Sequence, residues 1–144
     1  MDNNCIFCKI INGDIPSTKV YEDDTVLAFL DISQATPGHT LLVPKKHVEN
    51  IYDYDQQLAM DVLTKIPMIA RAIEKSNPKI KGLNIINNNG EVAYQSVFHS
   101  HIHFIPRFTR DEDDFGMRFK DNSNAYTSEK LEKIASSIRE NLED

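Results

Sequence analysis

The chain has 144 residues, enough for one domain with a real core, and its 22 acidic side chains outnumber 16 lysines and arginines to leave a net charge of −6. That acidity argues against nucleic acid as a partner, because such surfaces are basic. No apolar run reaches the roughly 18–20 residues of a membrane span, and the polar start Met1-Asp2-Asn3-Asn4-Cys5 lacks a secretory pattern. The expectation is a cytoplasmic protein with neither a membrane nor a nucleic-acid partner.

In chain order, residues 5–12 carry Cys5, Ile6, Phe7, Cys8, Ile10 and Ile11 ahead of Gly13, which reads as a short helix stopped by glycine. Residues 19–22 and 25–31 read as a hairpin around Asp23-Asp24. Residues 39–44 read as a third strand ended by Pro44. From Asp55, the positions Leu58, Ala59, Val62, Leu63, Ile66, Ile69, Ala70 and Ile73 recur at spacings of three and four. They predict one long helix with a core-facing stripe, kinked at Pro67 and ended by Ser76-Asn77-Pro78. Residues 82–88 and 101–108 read as the fourth and fifth strands. After an acidic loop over 111–127, a last helix from about Ser128 places Leu131, Ile134, Ala135, Ile138 and Leu142 on one face. Strands that cluster instead of alternating with helices predict an α+β domain. Its five-stranded antiparallel sheet would carry helices on one face and leave the other free for a site.

All five histidines fall in two segments. Three alternate in His99-Ser100-His101-Ile102-His103-Phe104-Ile105; the other two are His39 and His47. On a strand, side chains alternate faces, so the three would project together. Packing alone is a poor reason to crowd three imidazoles that each need hydrogen-bond partners. Two chemistries remain. Three histidines can ligate a catalytic zinc with one open position. Alternatively, a neutral imidazole attacks phosphorus while its neighbours donate to the phosphate oxygens. The upstream Asn87-Asn88-Asn89-Gly90 and Gln95-Ser96-Val97 supply amide and hydroxyl donors and a flexible backbone, which favours the second. Cys5-Ile6-Phe7-Cys8 suits a metal or a redox pair, but a redox pair would want a thioredoxin-like context that is absent. Two buried thiols are the plain alternative.

The run from His99 to Ile105 resembles the motif of the histidine triad (HIT) family of nucleotide-phosphate hydrolases and transferases, His-φ-His-φ-His-φ-φ with φ apolar. Ser100 is a polar departure at the first φ. Gln95-Ser96-Val97-Phe98, Ala28-Phe29-Leu30-Asp31-Ile32, Gly38-His39 and Pro44-Lys45-Lys46-His47 are similar to the Hint branch. The likeness covers about residues 5–110 of a single domain spanning 1–144. The resemblance implies a nucleotide hydrolase acting on nucleoside 5′-phosphoramidates or related α-phosphate esters and anhydrides. His101 would be the nucleophile and form a nucleotidyl-histidine intermediate. His39, His103 and Ser96 would support it, and Asp31, Ile32, Phe7, Asn88 and Gln95 would hold substrate. Bacterial members with an N-terminal Cys-x-x-Cys look zinc-bound, which implies a structural zinc on Cys5, Cys8, His47 and His99 and no organic cofactor. A purine nucleotide or nucleoside phosphoramidate as ligand, and a homodimer, also follow from the resemblance. Two alternatives stay open: a zinc hydrolase ligated by the triad, and a nucleotide- or partner-binding module without useful turnover.

Overall fold

The computed structural model describes residues 4–113 and 115–143. Helix α1 (Ile6–Ile11) starts at Cys5, whose Sγ accepts the Cys8 N–H, and ends where Gly13 turns left-handed at φ +84°. Strands β1 (Lys19–Glu22) and β2 (Val26–Leu30) form the expected hairpin. Its turn is tied by Asp23, whose carboxylate accepts from the Thr25 and Val26 N–H groups and from the Thr25 and Tyr21 hydroxyls. Those bonds hold the carboxyl below its ordinary range, against the burial that would raise it.

Strand β3 (Thr40–Pro44), helices α2 (Gln56–Leu63) and α3 (Ile66–Ser76), strands β4 (Gly82–Ile86) and β5 (Ile102–Arg107), and helix α4 (Ser128–Arg139) complete the chain. The five strands form one antiparallel sheet in the order β1-β2-β3-β5-β4. The single kinked helix expected from residue 55 is instead two helices. Pro67 lies in the first turn of α3, where its missing N–H has no intrahelical acceptor to lose, so it starts a helix instead of bending one.

The period of two along each strand separates the two faces. Val26, Ala28, Leu42, Ile102 and Phe104 meet Leu58 and Val62 of α2 and Ile69 and Ile73 of α3 in one buried cluster. Leu27, Phe29, Leu41 and Val43 meet Phe7, Cys8 and Ile10 of α1 in a second. Each buried valine, leucine, isoleucine or phenylalanine among them contributes about 1.5–3 kcal/mol relative to exposure. The helices are therefore not all on one face: α1 sits opposite α2 and α3. The register Leu41↔His103↔Ile86 puts His103 on the α1 face. Helix α1 has only six residues, too few to roof the whole sheet, and a cavity opens beside it. Helix α4 buries no side chain in its own chain. Among the described residues, no helix is long and apolar enough to cross a membrane.

Candidate active site

A cavity of about 310 Å³ opens beside α1, and His101, His103, Phe7, Asp31, Ile32 and Ser96 all line it. Phe7 is buried and presents its ring edge-on to His101, with centroids 5.0 Å apart, so it is both core and wall. Ile32 stands fully exposed at the mouth.

His101 is 5 % exposed and its Nδ1 lies 2.8 Å from the His99 carbonyl. A carbonyl only accepts, so Nδ1 carries the proton and Nε2 keeps a free lone pair. Burial pushes this imidazole below its ordinary pKa, partly offset by the carbonyl bond and the Asp31 charge. The His101 carbonyl in turn accepts from Asn87 Nδ2 at 2.9 Å, and Asn89 braces Asn87 at 2.8 Å.

His39, expected to support His101, pairs with His103 instead. Its Nε2 lies 2.9 Å from Nδ1 of His103 and 3.7 Å from Asp31. Burial, with the neighbouring His101 and His39, lowers His103 to about 4. Asp31 Oδ1 accepts from the Ser33 N–H at 2.8 Å and from its hydroxyl at 2.6 Å. Burial would raise this carboxyl, but the Ser33 bonds and the nearby imidazoles hold it below its ordinary value.

Two expected substrate contacts lie elsewhere. Gln95 is buried with its amide spent on the backbone: Nε2 donates to the Glu49 and Val97 carbonyls and Oε1 accepts the Gly90 N–H. It shapes the loop before the histidines and has no donor left for a ligand. Asn88 is half-buried and does not line the cavity; its neighbour Asn87 makes the contact to His101. Spacing could not choose among three adjacent asparagines, because the choice depends on β4 ending at Ile86.

The three triad imidazoles do not share a face either, because β5 begins only at Ile102. His99 is fully buried and turns the other way. Its Nε2 donates to the Pro44 carbonyl at 2.8 Å, leaving Nδ1 as a lone pair. That Nδ1 lies 3.1 Å from His47 Nδ1, 3.5 Å from Cys5 Sγ and 3.6 Å from Cys8 Sγ; Cys8 Sγ and His47 Nδ1 are 3.3 Å apart. Zinc bonds of about 2.0–2.1 Å to nitrogen and 2.3 Å to sulfur put tetrahedral neighbours about 3.3–3.8 Å apart, so the four donors fit that ion. Among the described residues, His101 belongs to neither group of converging ligand atoms. A zinc held by His99, His101 and His103 together finds no support in this arrangement. The serine that departs from the motif is also accounted for: Ser100 pairs its hydroxyl with Tyr54 at 2.9 Å and its N–H with the Val48 carbonyl at 2.8 Å.

Fold and site together define an antiparallel α+β domain that presents a histidine cluster on the less covered face of its sheet. The model of the HIT domain matches residues 12–110, and the chain belongs to this family. A crystal structure of a HIT-family member from Bacillus subtilis is 54 % identical, with a TM-score of 0.94 over 99 % of both chains. An adenosine 5′-monophosphoramidase of Schizosaccharomyces pombe is 39 % identical over 104 residues, 72 % of this chain and 74 % of that protein. A zinc-bound histidine triad protein from Mycobacterium smegmatis is 35 % identical, with a TM-score of 0.72 over 93 % of this chain and 97 % of that one.

Proposed function

We propose that this protein is a nucleotide hydrolase that cleaves nucleoside 5′-phosphoramidates, or related α-phosphate esters and anhydrides, through a covalent intermediate on His101. One observation carries the reading: a buried imidazole lines the cavity with Nδ1 pinned to a carbonyl and Nε2 unprotonated. The Nε2 lone pair attacks the α-phosphorus. The bond to the leaving amine breaks, and the amine departs with the electron pair and takes up a proton. Water then displaces Nε2 and the nucleoside monophosphate leaves. His103 and Ser96 donate to the phosphate oxygens, where charge accumulates. Asp31, held as a carboxylate, accepts from the ribose hydroxyls, and Phe7 and Ile32 flank the base of a purine nucleotide.

A structural zinc on Cys5, Cys8, His47 and His99 belongs to the same reading. It is supported by the donor distances and by the zinc-bound relative. When bound, the ion would fill all four tetrahedral positions and fasten α1 to the sheet, with none left for water. Two zinc-binding thiols suit a reducing compartment, in keeping with a cytoplasmic protein. A homodimer accounts for the uncovered apolar side of α4.

The test is release of AMP from adenosine 5′-phosphoramidate by wild type and His101→Ala at matched zinc content. Loss of the nucleophile lowers turnover by at least about a thousandfold. Near-wild-type turnover by the variant refutes the covalent route. Tight nucleotide binding with no turnover by either protein makes the fold a binding module.

A further inference from the structure

Residues 31–39 join β2 to β3 and carry a site residue at each end, Asp31 and His39. Between them Gln34 adopts φ +41°, the left-handed region that side chains other than glycine, asparagine and aspartate rarely enter. Such a conformation persists where its surroundings over-determine it, and these do. The carboxamide Nε2 donates to the Asp31 carbonyl at 2.6 Å and to the His39 carbonyl at 2.7 Å, and Oε1 accepts the Gly38 N–H at 2.8 Å. The segment is closed around one side chain that itself does not line the cavity.

The same turn aims the Ala35 N–H at His39 Nδ1, 3.1 Å away. A backbone N–H only donates, so Nδ1 is the acceptor and a neutral His39 carries its proton on Nε2. That proton is donated to His103 Nδ1 at 2.9 Å. His103, neutral as well, is left with its proton on Nε2, the nitrogen available to a phosphate in the cavity.

We infer that Gln34 is a positioning residue for His103: its carboxamide and left-handed turn set the tautomer of His39, and His39 sets the nitrogen on which His103 presents its proton. The catalytic consequence rests on the phosphoryl-transfer reading above; the tautomer does not. Asp31 keeps its carboxylate through Ser33 and is affected less.

The experiment compares wild type with Gln34→Met and Gln34→Gly. Methionine keeps the volume and loses the amide; glycine also relieves the backbone. Histidine ¹⁵N spectra report tautomers, and kcat and KM are measured on adenosine 5′-phosphoramidate. Both variants are expected to convert His103 from the Nε2–H form to a tautomer mixture while His101 stays Nδ1–H. Misplacing a donor this way lowers kcat about 10–100-fold with KM little changed. A native His103 tautomer in both variants overturns the inference, even if melting temperature falls. A shifted tautomer with unchanged kcat upholds the role of Gln34 in setting the tautomer and overturns its catalytic consequence. If wild type itself does not cleave the phosphoramidate, the function reading fails while the spectra still decide the role of Gln34.

Discussion

Cys8→Ala removes one of four candidate zinc ligands and tests what fastens α1 to the sheet. Helix α1 buries Phe7, Cys8 and Ile10, which together contribute about 6 kcal/mol at about 2 kcal/mol each. The backbone bonds of Lys9, Asn12, Gly13 and Asp14 add about 4 kcal/mol at about 1 each. Ordering residues 5–14, which these bonds span, costs about 10 kcal/mol at about 1 per residue. The terms nearly cancel, so without metal α1 is docked marginally. The alanine variant also loses the buried thiol, which tips the balance toward undocking. Hydrogen exchange is the assay. In the zinc-loaded protein the Lys9 and Asn12 amides are protected. In Cys8→Ala, or after chelation, they exchange at least about tenfold faster, while the Phe104 amide in β5 does not change. Since Phe7 also walls the cavity, nucleotide affinity falls in parallel. Unchanged protection of Lys9 and Asn12 in zinc-free protein refutes the reasoning, as does a purified wild type with no zinc.

Acid should destabilise the fold through the imidazoles. His103 titrates at about 4 when folded and near 6.5 when unfolded, so between those values the unfolded chain binds more protons. Stability is complete above about pH 6.5 and falls as pH drops toward 4, which denaturant midpoints at pH 7 and 5 will show; equal midpoints contradict it. Turnover falls in the same direction, because protonation removes the lone pair of His101. Leu131→Glu with Ile138→Glu places charges on the exposed stripe of α4, where the two side chains are 54 % and 61 % exposed. Light scattering should report a shift from the proposed dimer to monomer with the fold retained, since both side chains are exposed and α4 has no buried residue in its own chain.

Short apolar runs bounded by turn residues made β2 and β3 legible from the residues alone, because each is buried on both faces and so shows no polar alternation. The cavity residues Phe7, Asp31, Ile32, Ser96, His101 and His103 were legible too, through the family motif and not through periodicity. What failed depended on non-local partners. Pro67 breaks or begins a helix according to where the preceding helix stops. Gln95 and Asn88 have the right chemistry, but whether an amide faces ligand or backbone is decided by chain segments some distance away, such as Glu49. By strand periodicity alone His99 looked equivalent to His101 and His103, yet the Pro44 carbonyl turns it toward the cysteines, the set in which the family resemblance had placed it. Gln34, in a segment with no motif of its own, left no signal at all.

Pinning Nδ1 of His101 also has a stereochemical consequence. On the covalent route proposed above, only the Nε2 lone pair can reach phosphorus, and the first displacement occurs in line with it and inverts the centre. In the second, water attacks the phosphorus in line, Nε2 of His101 leaves, and the centre inverts again. An α-phosphorothioate substrate of defined handedness, hydrolysed in ¹⁸O-labelled water so that the product phosphorus is stereogenic, would therefore show net retention, whereas direct attack by water would show inversion.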